Sequence, residues 1–256
     1  VQHGWRFAKR PGVDYFLAYL SQFYEIVVFT SMQSFNAQPL LDKLDPIGYT
    51  MYRLYREATT YDDTKYIKDL SKLNRDLSKV IIMDSNPDAY SLQPENAVAV
   101  PPWTGDPNDR YLTEIIPFLE TLVIMNVADV RPICQKYYGQ DTPQKFAETE
   151  ARIRDQLRAQ WEEQKSKTSV KGLFGMFGSV QKHEQGEPPV PLIEKQRRQL
   201  HEAFEKEHAR AHTEALQQAQ QFQKDQEKAM KEMKLTVWDL VTKGPPQPGL
   251  GMDSKS

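Results

Sequence analysis

VIIMDSNPDAY, residues 80–90, decides how this chain folds. Four apolar residues run straight into Asp84, and Ser85-Asn86-Pro87 then turns the chain. A short apolar run bounded by turn residues reads as a buried strand. An acidic residue at its carboxyl end stands where α/β sheets place their sites. Upstream, EIVVFTS (25–31) has the same character and ends near Thr30; downstream, AVAV (97–100) is a third such run. Helical patterns alternate with them. GVDYFLAYLSQF (12–23) spaces Phe16, Leu17, Leu20 and Phe23 on one face. SFNAQPLLDKLDP (34–46) has Ser34 as its expected cap and Pro46 beyond its end. NDRYLTEIIPFLETLVIMN (108–126) gathers Leu112, Ile115, Ile116, Leu119, Leu122 and Val123, with a kink expected at Pro117. Strand–helix alternation predicts parallel strands with helices on their faces. MYRLYREATTYDDTKYIKDL (51–70) alternates aromatic or apolar with charged residues on both sides of Asp62-Asp63, which predicts a polar-faced β-hairpin.

The 256 residues suffice for one good core and something more. Net charge is −2, which argues against a general nucleic-acid or membrane-surface binder. The charge is uneven: residues 1–150 hold 15 Lys+Arg against 20 Asp+Glu, and the remainder holds 18 against 15. The single cysteine, Cys134, excludes an intrachain disulfide and a multi-cysteine zinc site. No apolar run approaches the ~20 residues that span a bilayer. With Val1 first and no signal-like segment, the chain reads as a fragment whose anchor or targeting peptide would lie upstream.

Beyond residue 130 the strand signals stop. Residues 142–167 predict a helix with Thr142 as N-cap, Pro143 at its first position and a stripe of Phe146, Ile153, Leu157 and Trp161. GLFGMFGS (172–179) is a Gly-rich loop without the Lys-Ser/Thr ending of a phosphate loop, and EQGEPPVP (184–191) is a linker by composition. Residues 191–241 predict one long polar helix with a compact apolar end, LTVWDLV; the tail from Gly244 is Pro/Gly-rich and expected to be disordered. The expected organisation is therefore an α/β domain over 1–132, a helix and linker over 133–190, a helical segment over 191–243 and a tail over 244–256.

FTS (29–31), IKDLSKLNRDLSKVIIMDSNPDAY (67–90), NAVAVPPW (96–103) and IIPFLETL (115–122) together resemble the haloacid-dehalogenase-type phosphatases that act on RNA polymerase tails. Residues 3–31 and 68–84 resemble still more closely a branch of that group, the presequence receptors of the mitochondrial inner-membrane translocase. The resemblance implies a haloacid-dehalogenase-like parallel sheet with flanking helices and a protruding β-hairpin, followed by a mostly helical C-terminal extension. In the phosphatases an Asp-x-Asp-x-Thr/Val motif ends the first strand and supplies nucleophile and general acid/base, two tasks that need two carboxylates. No such motif occurs in these 256 residues; it would fall before Val1. Thr30 matches the phosphoryl-holding residue, Lys68 the phosphate-neutralising lysine and Asp84 the magnesium-side carboxylate. Ser85-Asn86-Pro87 stands where the phosphatases have Asn-Ser-Pro. The shift turns the amide away from a metal, and serine is a poorer ligand for a hard cation. The three residues are thus expected to form a vestigial pocket that needs no cofactor or metal. The competing reading is that Thr30 and Asp84 cap turns and that Lys68 is a salt-bridging surface lysine.

The resemblance further implies an intermembrane-space receptor that binds presequence-bearing preproteins. It would receive them from outer-membrane translocase components and dock to the channel-forming subunit. A presequence is a basic amphipathic helix, so its receptor needs apolar surface rimmed by carboxylates. Tyr52, Tyr55, Glu57, Asp62 and Asp63, beside the predicted hairpin, match in kind. So do Leu235, Val237, Trp238, Asp239, Leu240 and Val241. Residue by residue, the docking surface carries over to Arg6, Lys9, Asp69, Leu70, Leu73 and Asp84. Arg6 or Lys9 could instead pair with Asp84 and fill the dead pocket. Two other functions compete: a magnesium-dependent phosphatase whose first strand is missing from the chain, and a scaffold in which 191–235 pairs as a coiled coil. Gln, His and Lys at stripe positions weigh against the coiled coil.

Overall fold

The computed structural model describes residues 8–173 and 190–243. The chain divides into two compact units, residues 1–199 and 200–256. In the first, helix α1 (Val13–Leu20) precedes strand β1 (Val27–Phe29), helix α2 (Ser34–Leu44) and strand β2 (Tyr52–Leu54). A hairpin of β3 (Thr60–Asp62) and β4 (Lys65–Ile67) follows, then β5 (Ile82–Asp84) and β6 (Ala97–Ala99). Helices α3 (Tyr111–Glu114), α4 (Ile116–Ile124), α5 (Arg131–Tyr137) and α6 (Thr142–Leu173) complete the order before α7 (Leu192–Lys243), whose first turns belong to this unit. The second unit consists, among its described residues, of the rest of α7. No helix among the described residues is long and apolar enough to cross a membrane.

The expected α/β alternation is present, but the sheet is not continuous. β1 pairs with β2 in parallel (Val27 with Tyr52, Phe29 with Leu54), and β5 pairs with β6 in parallel (Ile82 with Ala97, Asp84 with Ala99). No described strand joins the two pairs. Val27, Val28, Phe29 and Met83 are half-buried, whereas Ala97 and Val98 are buried.

The hairpin is shorter than its sequence pattern suggests. Tyr52–Leu54 joins β1 as a parallel strand, and Arg56–Ala58 forms a 3-10 turn. Only Thr60–Asp62 and Lys65–Ile67 pair antiparallel. In β2 Tyr52 is exposed while Arg53 and Leu54 are both half-buried, and its partner is β1, not a hairpin strand. The two-residue tip has Asp63 at φ 40° and Thr64 at φ 68°, the doubly left-handed geometry that matches strand twist. A β-branched residue there carries strain.

Caps differ from expectation at two helices. Gln33, not Ser34, precedes α2, and Ser34 instead donates its N–H and hydroxyl to Glu57 Oε1 at 3.3 and 3.2 Å. Asp141, not Thr142, caps α6: its Oδ1 accepts from the Gln144 N–H at 3.0 Å, while Thr142 is buried. Helix 108–126 breaks where Pro117 predicts, with Ile115 between α3 and α4 and Pro117 in the first turn of α4. The core has two centres. Leu70, Ile82, Tyr90 and Ala97 pack together under Leu73, Leu77 and Val80. Phe118, Tyr137 and Phe146 form an edge-on trio with centroids 5.4–6.3 Å apart. Of the rest of the stripe on α6, Ile153 is exposed and Leu157 and Trp161 are half-buried. Asn96, wholly buried, donates to the Leu77 and Val80 carbonyls at 2.6 and 2.7 Å and so closes the turn into β5.

Candidate functional site

Thr30 directly follows β1 and Asp84 ends β5, and the two line one cavity. The cavity, of about 250 Å³, is lined by Thr30, Ser31, Lys65, Lys68, Asp84 and Asn86 among others. Lys68 follows β4 and is held by its N–H to the Ala89 carbonyl at 2.8 Å. Its ammonium donates to Asp84 Oδ2 and sits 5.9 Å from the Phe29 ring centre, bridging the tops of the two strand pairs. Side-chain exposure is 12% for Lys68 and 14% for Asp84, so Lys68 is not a surface lysine.

The turn-capping reading of Thr30 and Asp84 also holds. Thr30 Oγ1 accepts from the Met32 N–H at 3.1 Å, and Asp84 Oδ1 accepts from the Asn86 N–H at 2.8 Å. Asn86 Oδ1 in turn accepts from the Asp88 N–H at 3.1 Å, which commits the amide to the backbone. Lys65 pairs with Asp88 at 2.9 Å on the same rim. Each cation at this cavity therefore has a carboxylate, and each capping oxygen has a turn to hold.

The six residues expected to form one docking surface separate. Arg6 lies outside the described residues. Lys9 donates to Asp14 at 2.8 Å and to the Leu44 carbonyl at 3.0 Å, so it does not fill the pocket; Lys68 does. Leu70 is 2% exposed and belongs to the core, which removes it from any surface, and Leu73 packs half-buried against the same cluster. Asp69 accepts from Ser71 Oγ at 2.7 Å, the Ser71 N–H at 3.1 Å and Gln93 Nε2 at 3.1 Å. The Ser71 hydroxyl outweighs partial burial and, with Gln93, holds the Asp69 carboxyl below its ordinary range.

Beside the cavity the hairpin exposes Tyr61, whose ring lies 5.1 Å from that of Tyr66, while Arg56 sits 4.6 Å over Tyr66. Glu57, Asp62 and Asp63 are exposed, and Tyr55 is half-buried. Tyr52 is exposed but stands at the opposite end of β2, paired with the first residue of β1, away from this group. Two residues missing from the sequence-based expectation join it. Met32 and Phe35 are exposed where α2 begins, Phe35 at 69%. Their segment is tied to the hairpin stem by Arg56, whose N–H donates to the Met32 carbonyl at 2.9 Å and whose Nε donates to the Ser31 carbonyl, and by Ser34 to Glu57. The signal for them was the departure from helical amphipathicity at Phe35: an apolar residue in the first turn of a helix whose buried residue is Ala37.

The backbone of Leu235, Val237, Trp238, Asp239, Leu240 and Val241 is helical as part of α7, and their side chains lie outside the described ones. Most of the Gly-rich loop and of the linker, and the tail from Gly244, also lie outside the described residues.

Residues 1–131 match the family described as NLI interacting factor-like phosphatase. The chain is similar to the "Mitochondrial import inner membrane translocase subunit tim50" of Neurospora crassa, at 50% identity over 176 residues, 69% of this chain and 33% of that protein. The protein so named in Aspergillus fumigatus is 48% identical over 179 residues, 70% of this chain and 36% of its own length. The Candida albicans counterpart is 41% identical over 250 residues, 96% of this chain and 51% of its own. The chain thus spans between a third and a half of these relatives.

Proposed function

This chain belongs to the NLI interacting factor-like phosphatase family, and from that premise we propose that it serves as a non-enzymatic presequence receptor. It binds incoming preproteins on the intermembrane-space face of the mitochondrial inner membrane, to which a segment outside these 256 residues anchors it. It receives them from outer-membrane translocase components and passes them to the channel-forming subunit of the inner-membrane translocase. The relatives' printed names, translocase subunits at 41–50% identity, support the setting.

The observation that carries the receptor reading is the juxtaposition of exposed Met32, Phe35 and Tyr61 with the carboxylates of Glu57, Asp62 and Asp63. A basic amphipathic helix lays its apolar face on the first group and its lysines and arginines against the second. Small apolar area with solvent-exposed charge gives weak, salt-sensitive, rapidly exchanging binding, which suits a protein that must let its cargo go. The segment LTVWDLV (235–241) has the same residue chemistry and is proposed as a second presequence-binding segment. The non-enzymatic reading is supported by Lys68, which spends its charge on Asp84, and by Asn86, whose side-chain oxygen is committed to the Asp88 N–H. The two parallel strand pairs are the halves of a haloacid-dehalogenase-like sheet.

Fluorescence anisotropy with a labelled basic amphipathic peptide tests the proposal. Micromolar-scale affinity that falls with salt is expected, and Phe35→Ser with Tyr61→Ser weakens it at least several-fold. Equal affinity for a scrambled peptide of the same composition would remove the receptor reading. One observation favours a second reading. Thr30, Lys68 and Asp84 do converge on one cavity, as in a magnesium-dependent phosphatase. Aryl-phosphate turnover with magnesium by a longer form, lost on Asp84→Asn, would establish it.

A further inference from the structure

The described part of the α/β unit contains a carboxylate with no access to solvent, and its counter-ion comes from the C-terminal helix. Glu120, in the middle of α4, has a side chain 0% exposed. Its Oε1 accepts the hydroxyl of Tyr19 from α1, and its Oε2 lies 3.2 Å from Arg197 Nε in the second turn of α7. The same guanidinium donates through Nη2 to Glu150 Oε1 on α6 at 2.6 Å and to Thr121 Oγ1 on α4 at 2.9 Å, and through Nη1 to Glu150 Oε2 at 3.2 Å. Its carbon lies 6.0 Å from the centre of the Phe146 ring. Burial, with Glu120 reinforcing it, drives the Tyr19 hydroxyl far above its usual pKa, so it stays a donor.

A planar, permanently charged fork is the group that can serve two carboxylates and a hydroxyl at once; an ammonium is a single point charge. A buried carboxylate that loses its cation is costly, because neither water nor another charge replaces it. The helix face follows the same logic. Ile193, Glu194 and Arg197 are half-buried, while Leu192, Lys195, Gln196 and Arg198 are exposed. Glu194 is held from α6 as well, accepting from Arg154 Nη2 at 2.8 Å and Nε at 3.0 Å. Three ion pairs, Arg197 to Glu120 on α4 and Glu150 on α6 and Arg154 back to Glu194 on α7, fasten these turns.

We infer that Arg197 is the positioning residue that fastens the base of the C-terminal helix into the α/β unit. The first turns of α7 are therefore fastened to that unit and are not the start of an independent extension. The dependence runs both ways. A chain cut before Arg197 leaves Glu120 without its cation, and a helix without Arg197 loses its hold on α4 and α6 through that side chain. This goes beyond the receptor reading and does not rest on it, since no peptide is involved.

Hydrogen exchange on the full chain tests it, comparing Arg197→Met, Arg197→Lys and the double variant Glu120→Gln/Arg197→Met. Arg197→Met is expected to speed exchange over residues 195–199 roughly a hundredfold. Arg197→Lys restores part of that protection. In the double variant the interior charge is gone, so protection in α1 and α4 returns while residues 195–199 stay fast. Should Arg197→Met unfold the chain outright, the double variant alone decides. Exchange over 195–199 within threefold of the parent in Arg197→Met would overturn the inference. So would a double variant that recovers protection there, because relieving a stranded carboxylate would then explain everything.

Discussion

Breaking the ion pair at the top of β5 tests whether the cavity is filled by its own residues. Asp84→Asn removes the charge opposite Lys68 while leaving an amide oxygen to accept from the Asn86 N–H, so the turn survives. Severing a fully buried pair costs about 3–5 kcal/mol because one charge is stranded. Here both side chains keep 12–14% exposure and open onto a cavity, so about 2 kcal/mol is the expected loss. For a folding unit of about 200 residues that lowers Tm by roughly 4–8 °C. Lys68→Met should cost a similar amount, since it strands Asp84 in place of Lys68. The double variant strands neither and should be more stable than either single one, giving a coupling of at least about 2 kcal/mol. Urea denaturation followed by circular dichroism supplies all four corners of the cycle. Strict additivity, with coupling below about 0.5 kcal/mol, would refute the reasoning: the pair would then be mere proximity, and Lys68 would be available to an anion.

Three further outcomes follow from other sites. Asp45, 5% exposed, accepts from the N–H groups of Gly48, Tyr49 and Thr50 and from the Thr50 hydroxyl. Burial pulls its pKa up, but those bonds outweigh it and set it below the ordinary 3.8. Its stabilisation is therefore complete above pH 3.8 and lost as pH falls through the depressed value; Asp45→Ala should cost about 2–3 kcal/mol at pH 7, and its deficit against the parent should shrink in acid melts. Gly12→Ala places a Cβ 2.8 Å from Thr113 Cγ2 at φ +79°, so a loss of about 1–2 kcal/mol by thermal melt is expected. Cys134 is buried and burial pushes its thiol up to about 11, so thiol reagents should label it only as fast as the unit opens, and denaturant should make labelling immediate.

What the residues revealed in advance followed from local physics. The apolar runs ending at Thr30 and Asp84 are strands because four or five β-branched or apolar residues bounded by turn formers have little else to become. Their convergence on one cavity agrees with the expectation that sites in α/β folds gather at the carboxyl ends of strands. Leu70 was misplaced because a leucine in a short 3-10 turn has too few neighbours for periodicity to reveal its inward face; its burial is set by Ile82, Tyr90 and Ala97, all distant in sequence. Alternation over residues 51–54 predicts a hairpin strand where the chain forms a parallel one, because alternation does not distinguish an antiparallel partner from a parallel one. Arg197 had no local signal at all. It is one cation among many on a polar helix, and only the sealed Glu120, on a different helix, singles it out.

The two ion pairs at the cavity, Lys68 with Asp84 and Lys65 with Asp88, have a consequence for how a cationic helix would approach. A depression whose cations and carboxylates cancel one another projects almost no potential into solution, whatever its depth. The long-range pull must then originate on the ridge beside it, where Glu57, Asp62 and Asp63 stand. Electrostatics would draw an arriving helix sideways onto the crest and leave the crater beneath it electrically silent.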